Sequence, residues 1–353
     1  MHRRHFLSAT TAAIVAAPAW SAMAAPQYVT AAAKPDASTW LVGLDADGSV
    51  RFAHPIPGRG HAAALHPHRA EAVAMARRPG TFALVLDCTT GAEMVRLHSP
   101  EGRHFYGHGA FTADGRYLYT TENAYDVPDG RLGVWDAENG YRRVDDLPSG
   151  GIGPHEMIRL AGGGFAVANG GIRTHPDFER RMLNLPSMRP NLSYLTETGE
   201  ITEAVEPPGA LHQNSIRHIT ASGDTVAIAL QWQGNPLSPV PLAALHRRGE
   251  DLIFLDHPDT ARLKQYAGSV AHSTGGREIV VTGPRGDAAL FFDARSGAAL
   301  PAHALPVAAG AAPAPGGVAI TVTGGLRIGD SRGTRFVPVA GDWSWDNHLV
   351  PIG

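Results

Sequence analysis

The chain has 353 residues, with 30 Lys and Arg against 33 Asp and Glu, a formal net charge of −3 and only 18% charged residues. A phosphate-backbone ligand needs clustered positive charge, and this near-balanced sequence has no such cluster, which excludes nucleic acid as a partner. Cys88 is the only cysteine, which excludes an internal disulfide, a Cys-x-x-Cys-His haem attachment and a thiolate cluster; it reads as a small buried apolar residue on a strand.

The first element is a targeting segment. His2-Arg3-Arg4-His5-Phe6-Leu7 precedes an alanine-rich apolar run ending at Trp20, too short for a membrane-spanning helix, and Ala22-Met23-Ala24 offers a small-residue cleavage site before Ala25. Residues 1–24 therefore read as a signal peptide. The paired arginines next to Phe-Leu favour twin-arginine export to the periplasm over a general secretory signal, and leave a mature form, residues 25–353, without a membrane span. Twin-arginine export carries folded proteins and so permits a metal or cofactor to be loaded before export.

Along residues 25–353, 41 glycines and 27 prolines point to many turns and short strands, and helical periodicity is rare. One unit recurs, an apolar strand ending in Asp or another polar residue, then a short turn closed by Gly. It appears as Val42-Gly43-Leu44-Asp45 to Gly48, Leu84-Val85-Leu86-Asp87 to Gly91, Val134-Trp135-Asp136 to Gly140, Tyr194-Leu195-Thr196 to Gly199 and Phe291-Phe292-Asp293 to Gly297. The last four glycines stand 49, 59 and 98 residues apart, and Ile253-Phe254-Leu255-Asp256 fills the long gap as a further copy. A period near about 50 residues with four short strands per unit is the pattern of propeller blades.

A second marker keeps this step at another phase: Arg59-Gly60-His61, Tyr106-Gly107-His108, Gly153-Pro154-His155 and Ile216-Arg217-His218, with histidines 47, 47 and 63 residues apart. Each opens the first strand of its unit. The fold class is thus all-β, a single β-propeller of seven four-stranded blades, with six and eight as the alternatives. Blades fall at 60–103, 104–150, 153–209, 212–265, 267–304 and 305–340. The two chain ends close the seventh, Trp345-Asp346-Asn347-His348-Leu349-Val350 giving its inner strand and residues 27–57 its outer three, a velcro that removes exposed edges. An insertion from Gly170 to Asn191, carrying His175, Arg180, Arg181, Met182, Asn184 and Met188, lengthens the third blade, as functional or merely solvated loops do.

First strands of propeller blades line the central channel, so His61, His108, His155 and His218 should converge there as an arc of imidazoles, able to ligate iron, copper or zinc. Glu122 and Glu156 would complete a His/carboxylate shell, while Arg59, Arg103 and Arg217, with His104 and Tyr106, would hold an anion or a cofactor propionate. The competing reading is structural, each imidazole tying neighbouring strands together, and repetition fits both. Neither Gly-x-Ser-x-Gly nor His-Glu-x-x-His occurs, and Pro154-His155-Glu156 has one zincin histidine only. A calcium-type lactonase site through Glu122, Asn123, Glu156, Asn169 and Asn214 is the remaining hydrolytic option.

Taken in order, the Arg-Arg signal, Arg-Gly-His, Arg77-Arg78-Pro79-Gly80, Gly-Arg-His-Phe-Tyr-Gly-His-Gly at 102–109, Thr121-Glu122-Asn123, Gly-Ile-Gly-Pro-His-Glu at 151–156, Ala-Asn-Gly-Gly-Ile at 168–172 and Ser-Ile-Arg-His at 215–218 resemble the bacterial family called domain of unknown function 1513. The resemblance covers nearly the whole mature chain. It implies a periplasmic propeller of the YVTN/quinoprotein-like superfamily, encoded beside imelysin-type and di-haem oxidoreductase proteins in iron-uptake gene clusters, and it brings no established catalytic residue. The expectation that follows is an iron-uptake accessory binding iron, copper or a metal chelate at the channel mouth, with imelysin-type or di-haem proteins as partners. Two other classes stay open: a ligand-free interaction platform, and an enzyme such as a quinoprotein-like oxidoreductase or lactonase.

Overall fold

The computed structural model describes residues 25–127, 129–178 and 181–352; the signal-peptide reading and Arg180 lie outside them. Seven antiparallel sheets stand in a ring, six of them simple four-stranded meanders in chain order. Their inner strands are Gly60–Leu65, Arg103–Phe111, Pro154–Arg159, Asn214–Ser222, Ser269–His272 and Ala311–Ala314. The seventh sheet is composite, with Tyr28–Ala33, Thr39–Leu44 and Val50–Ile56 supplied by one chain end and Ser344–Trp345 with Val350–Pro351 by the other. Among the described residues no helix is long and apolar enough to cross a membrane.

Second strands are covered on both faces by adjacent blades, which is why Glu71–Ala76, Phe165–Asn169 and Glu278–Gly283 read as apolar runs rather than alternations. Between the third and fourth blades, Ala166, Leu192 and Tyr194 pack on Ile216, Ile219 and Ile228. The recurrent turns form as the sequence predicts: Asp87 accepts the amides of Thr89 and Thr90, and Gly91 takes φ +73°. Cys88 is buried just after its strand rather than on it, and burial pushes its thiol up to about 12.

One repeat copy is displaced. In the fourth blade Ile253–Leu255 is the outermost strand, and the unit matching the others is Leu245-His246-Arg247, closed by Gly249 at φ +80°. The Asp256 copy resembled the pattern because a fourth strand also ends in a polar turn.

The composite blade is interrupted where it faces the channel. Ala32 and Ala33 pair with Trp345 and Ser344, and Tyr28 and Val29 with Pro351 and Val350, but residues 346–349 leave the ladder. Two bonds tie this excursion to the neighbouring strand Tyr28–Ala33, from the Asp346 amide to the Ala31 carbonyl at 2.9 Å and from Thr30 Oγ1 to the His348 carbonyl at 2.6 Å.

Candidate functional site

Four inner strands carry a β-bulge, and each bulge falls at the marker histidine. The register shifts between Gly60 and Ala63, Phe105 and Gly109, Pro154 and Glu156, and Ile216 and His218. Inner strands of the fifth and sixth blades pair without a shift and send no histidine to the centre. A bulge breaks the two-residue alternation and re-aims a side chain, which is how these imidazoles turn into the channel. At Gly107 the bulge in the second blade's inner strand needs glycine, because φ is +104° and a Cβ would lie 2.7 Å from the His61 ring.

His61, His108, His155 and His218 converge as the sequence predicts, and His348 joins them from the closing segment. Ring centroids lie 4.4 Å apart for His61–His348 and His108–His348, 4.6 Å for His155–His218 and His218–His348, and 4.9 Å for His61–His108. All five are buried. Two carboxylates stand behind the rings. Asp346 Oδ1 is 2.7 Å from His61 Nδ1; Glu156 places Oε2 at 3.1 Å from His218 Nδ1 and Oε1 at 3.5 Å from His108 Nδ1, and accepts the Ile219 amide at 3.0 Å.

Burial first, and then the charges of neighbouring histidines and Arg217, hold His108, His155 and His218 well below the ordinary imidazole range, and burial with His61, His218 and Arg77 does the same for His348. Burial also lowers His61, against the opposing pull of Asp346. The rings are therefore neutral at pH 7, the form that binds metals. Burial pushes Glu156 up to about 8, against the Ile219 hydrogen bond. Burial likewise opposes ionisation of Asp346, but the His61 bond and the guanidinium groups of Arg59 and Arg77 outweigh it and hold that carboxyl well below its usual range. Since ionised Asp346 only accepts, His61 Nδ1 carries the proton and Nε2 turns its lone pair inward.

His61 Nε2, His108 Nε2, His155 Nδ1 and His348 Nε2 are buried with no hydrogen-bond partner. Three overlapping sets have ligand atoms all within 4.8 Å of one another: His61, His108 and His155; His108, Glu156, His218 and His348; and His61, Asp346 and His348. The second set lines a cavity of about 720 Å³, together with small apolar residues such as Ala64, Ala110, Ala271 and Ala311 and with the polar His66, His68 and Arg159.

This seven-bladed chain with its in-phase histidines matches, over residues 54–352, the family described as protein of unknown function (DUF1513). The chain belongs to that family. The DUF1513 propeller finds no match among curated proteins. Its similar solved structures include Kuenenia stuttgartiensis hydrazine synthase, at 14% identity and TM-score 0.56, covering 82% of this chain and 80% of that one. Another is BamB from Moraxella catarrhalis, at 12% identity and TM-score 0.51, covering 90% and 82%. The β-propeller domain of Myceliophteria_thermophila Cps50 (Swd1) has 10% identity and TM-score 0.55, covering 84% and 93%. At such identities these likenesses show the fold alone.

Not every residue expected at the DUF1513 site reaches it. Glu122 lies on a second strand, where Arg143 binds it through two bonds of 2.6 and 2.9 Å and Thr120 through one of 3.0 Å; it is not a member of the histidine cluster. Arg103 pairs with Asp146 and with Glu122, and so leaves the expected anion set. His104 stays within its own blade, donating from Nδ1 to the Phe105 carbonyl and accepting at Nε2 from Asn123 Nδ2, and stacks on Tyr125. The oxygens of a calcium site are dispersed as well, Asn169 being held by Ser149, Asn191 and Ser193, and Asn214 by Pro241.

Arg59 does reach the DUF1513 cluster, donating to Asp346 at 2.8 and 3.1 Å, and Tyr106 and Arg217 lie at the same mouth. Sequence reasoning missed two members, Asp346 and His348. The signal was present, since both stand in the segment expected to be an inner strand, but Asp346-Asn347-His348 lacks the small residue or proline that precedes three of the four marker histidines by one or two positions. The described residues of the insertion are held at several points: Met188 is buried, Asn184 Oδ1 accepts the Arg173 amide at 2.7 Å, and His175 meets Asp126 at 3.1 Å.

Proposed function

We propose that this propeller binds one transition-metal ion, iron or copper, with the imidazoles of its channel, and serves as an exported accessory of iron uptake. The observation that carries the reading is the set of four buried ring nitrogens without partners. Each unsatisfied buried polar atom costs about 1–3 kcal/mol. Four together rival the total stability of an ordinary domain, about 5–15 kcal/mol, and an ion among His61, His108 and His155 would engage three of these four histidines, while His348 belongs to the neighbouring sets. Neutral imidazoles with one carboxylate suit iron, copper and zinc rather than magnesium or calcium. Carboxylates behind the Nδ1 atoms of His61, His108 and His218 are the usual supports of metal-ligating histidines, fixing tautomer and ring orientation. The cavity would leave the Glu156 side of the ion open to an incoming ligand. Iron comes first because of the iron-uptake setting that the family resemblance implies, and the periplasm because of the twin-arginine reading of residues 1–24.

The test is elemental analysis with an absorption spectrum on protein exported through its own signal, beside a variant with His61, His108, His155 and His218 all changed to Ala. Near one iron or copper per chain, absent from a variant that still unfolds cooperatively, is the expected result. If the quadruple variant does not fold, the double variant His61→Ala with His108→Ala replaces it, since each of the three ligand sets contains at least one of the two. Metal-free protein from iron-replete and iron-poor cells alike, which also fails to take up Fe(II) or Cu(II) in vitro, would overturn the reading.

A further inference from the structure

We infer that the cavity beside the histidines is a binding site for a small organic ligand, an O,O-bidentate donor on an uncharged apolar body such as a catechol or a hydroxamic acid, which completes the coordination of the ion. This rests on the metal reading above and adds the class of ligand. His108, Glu156, His218 and His348 form one ligand set, and all four line the cavity. Two of the ring nitrogens without partners, His108 Nε2 and His348 Nε2, belong to residues of this wall. An iron ion takes six ligands readily, so four from the protein leave two positions, which open to the cavity that the four residues share. One molecule with two adjacent oxygens fills both, the second bond forming at high effective concentration once the first is made.

The cavity suits such a body in size and in polarity. At about 720 Å³ it has room for about 20 water molecules, far more than a water or a diatomic ligand on the ion would fill, and it lies within the range of small-molecule pockets, about 300–1,000 Å³. Small side chains keep it open: Ala63 and Ala64 on the first blade, Ala110 on the second, Ala271 on the fifth and Ala311 on the sixth. The fifth and sixth blades stand between those of His218 and His348 in the ring, and their inner strands carry no bulge that would turn a large side chain inward. Among the described residues, the charged side chains of the wall are Glu156 and Arg159. Arg159 is exposed three positions further along the same strand, about 10 Å from Glu156. A polyanion such as citrate would have to set charge against apolar walls without a partner, a cost that an uncharged body does not meet.

The test uses the purified full-length chain loaded with one equivalent of Fe(III), or of Cu(II) where only that is retained, and freed of excess metal by gel filtration. Titration with catechol and, separately, with benzohydroxamate should produce a new visible absorption band that saturates at one ligand per ion and elutes with the protein. Citrate at the same concentration should weaken neither titration by more than about twofold. Ala63 and Thr220 are half-buried wall positions on different blades, and Ala63→Leu and Thr220→Leu should each weaken ligand binding at least about tenfold with metal stoichiometry unchanged. If one of these variants fails to fold, the other decides. Failure of the chain to retain either metal overturns the metal reading, and this inference with it. Four outcomes overturn this inference alone and leave the metal reading standing: metal that stays bound while neither ligand gives a band, a band that elutes with stripped metal apart from the protein, competition by citrate, or undiminished binding in the folded wall variants.

Discussion

His61 Nδ1 and Asp346 Oδ1 lie 2.7 Å apart, although 285 residues separate them. His61 opens the first complete blade and Asp346 belongs to the segment that closes the last, so the bond that orients a candidate ligand also locks the ring.

Asp346→Ala should therefore damage fold and site together. It leaves His61, Arg59 and Arg77 around a missing carboxylate, and breaking one side of a buried ion pair costs about 3–5 kcal/mol. Loss of a carboxylate behind a ligating histidine lowers metal affinity about 10–100-fold. Urea denaturation and a metal titration on the same sample read both effects; native-like stability would show that ring closure does not depend on this bond.

Glu122 is a buried acid and Glu156 a half-buried one, and their variants should separate cleanly. Glu156→Gln keeps the shape but disturbs the acceptor that His108 and His218 share, so metal affinity should fall about 10–100-fold with the fold intact. Glu122→Gln should leave metal stoichiometry unchanged while destabilising the second blade by about 3 kcal/mol, because Arg143 and Arg103 lose their carboxylate. Equal metal loss in both variants would place Glu122 in the site after all.

Gly107→Ala should act as a His61 mutation without touching His61. The added Cβ meets that ring at 2.7 Å in a backbone conformation that side chains avoid. Strain of this kind costs about 1–3 kcal/mol, and His61 must turn away from the cluster. Thermal unfolding and the metal content of the purified variant measure the two consequences.

Stability of the metal-free protein should fall steeply on the acid side of neutral pH. Burial holds His104 and His272 at about 4 and lowers the five channel histidines too. Below the ordinary imidazole value of about 6.5 the unfolded chain binds more protons, so stability present above that pH is lost as the solution is acidified, by up to about 1.4 kcal/mol per pH unit for each histidine. Glu156, raised to about 8, acts in the opposite sense: the folded state binds the extra proton, and its contribution fades as pH rises from the ordinary glutamate range through 8. Chemical denaturation should show a steep loss of stability from about pH 7.5 to about pH 5, set by the histidines, and little change between about pH 7.5 and 8.5, where the last histidine gain and the fading Glu156 contribution oppose each other. Stability at pH 5 equal to that at pH 7.5 would mean that these histidines are not held below their ordinary range.

By itself the sequence determined the architecture. Turns such as Asp87 to Gly91 and Asp136 to Gly140 are local, set by side-chain acceptors and positive-φ glycines, so their spacing reports blades directly. The apolar second strands, the velcro of the chain ends and the convergence of His61, His108, His155 and His218 follow from that periodicity. Where two local patterns look alike, as at Ile253–Asp256, period alone misassigned a strand. Tertiary structure decided which charges meet. Glu122 and Glu156 are equally acidic in sequence, yet strand position sends one to Arg143 and the other to His108 and His218. Arg59 and Arg103 part in the same way, one to Asp346 and the other to Asp146. Asp346 and His348 enter only when the ring closes and residues 346–349 leave their ladder, a long-range event with no repeat to announce it.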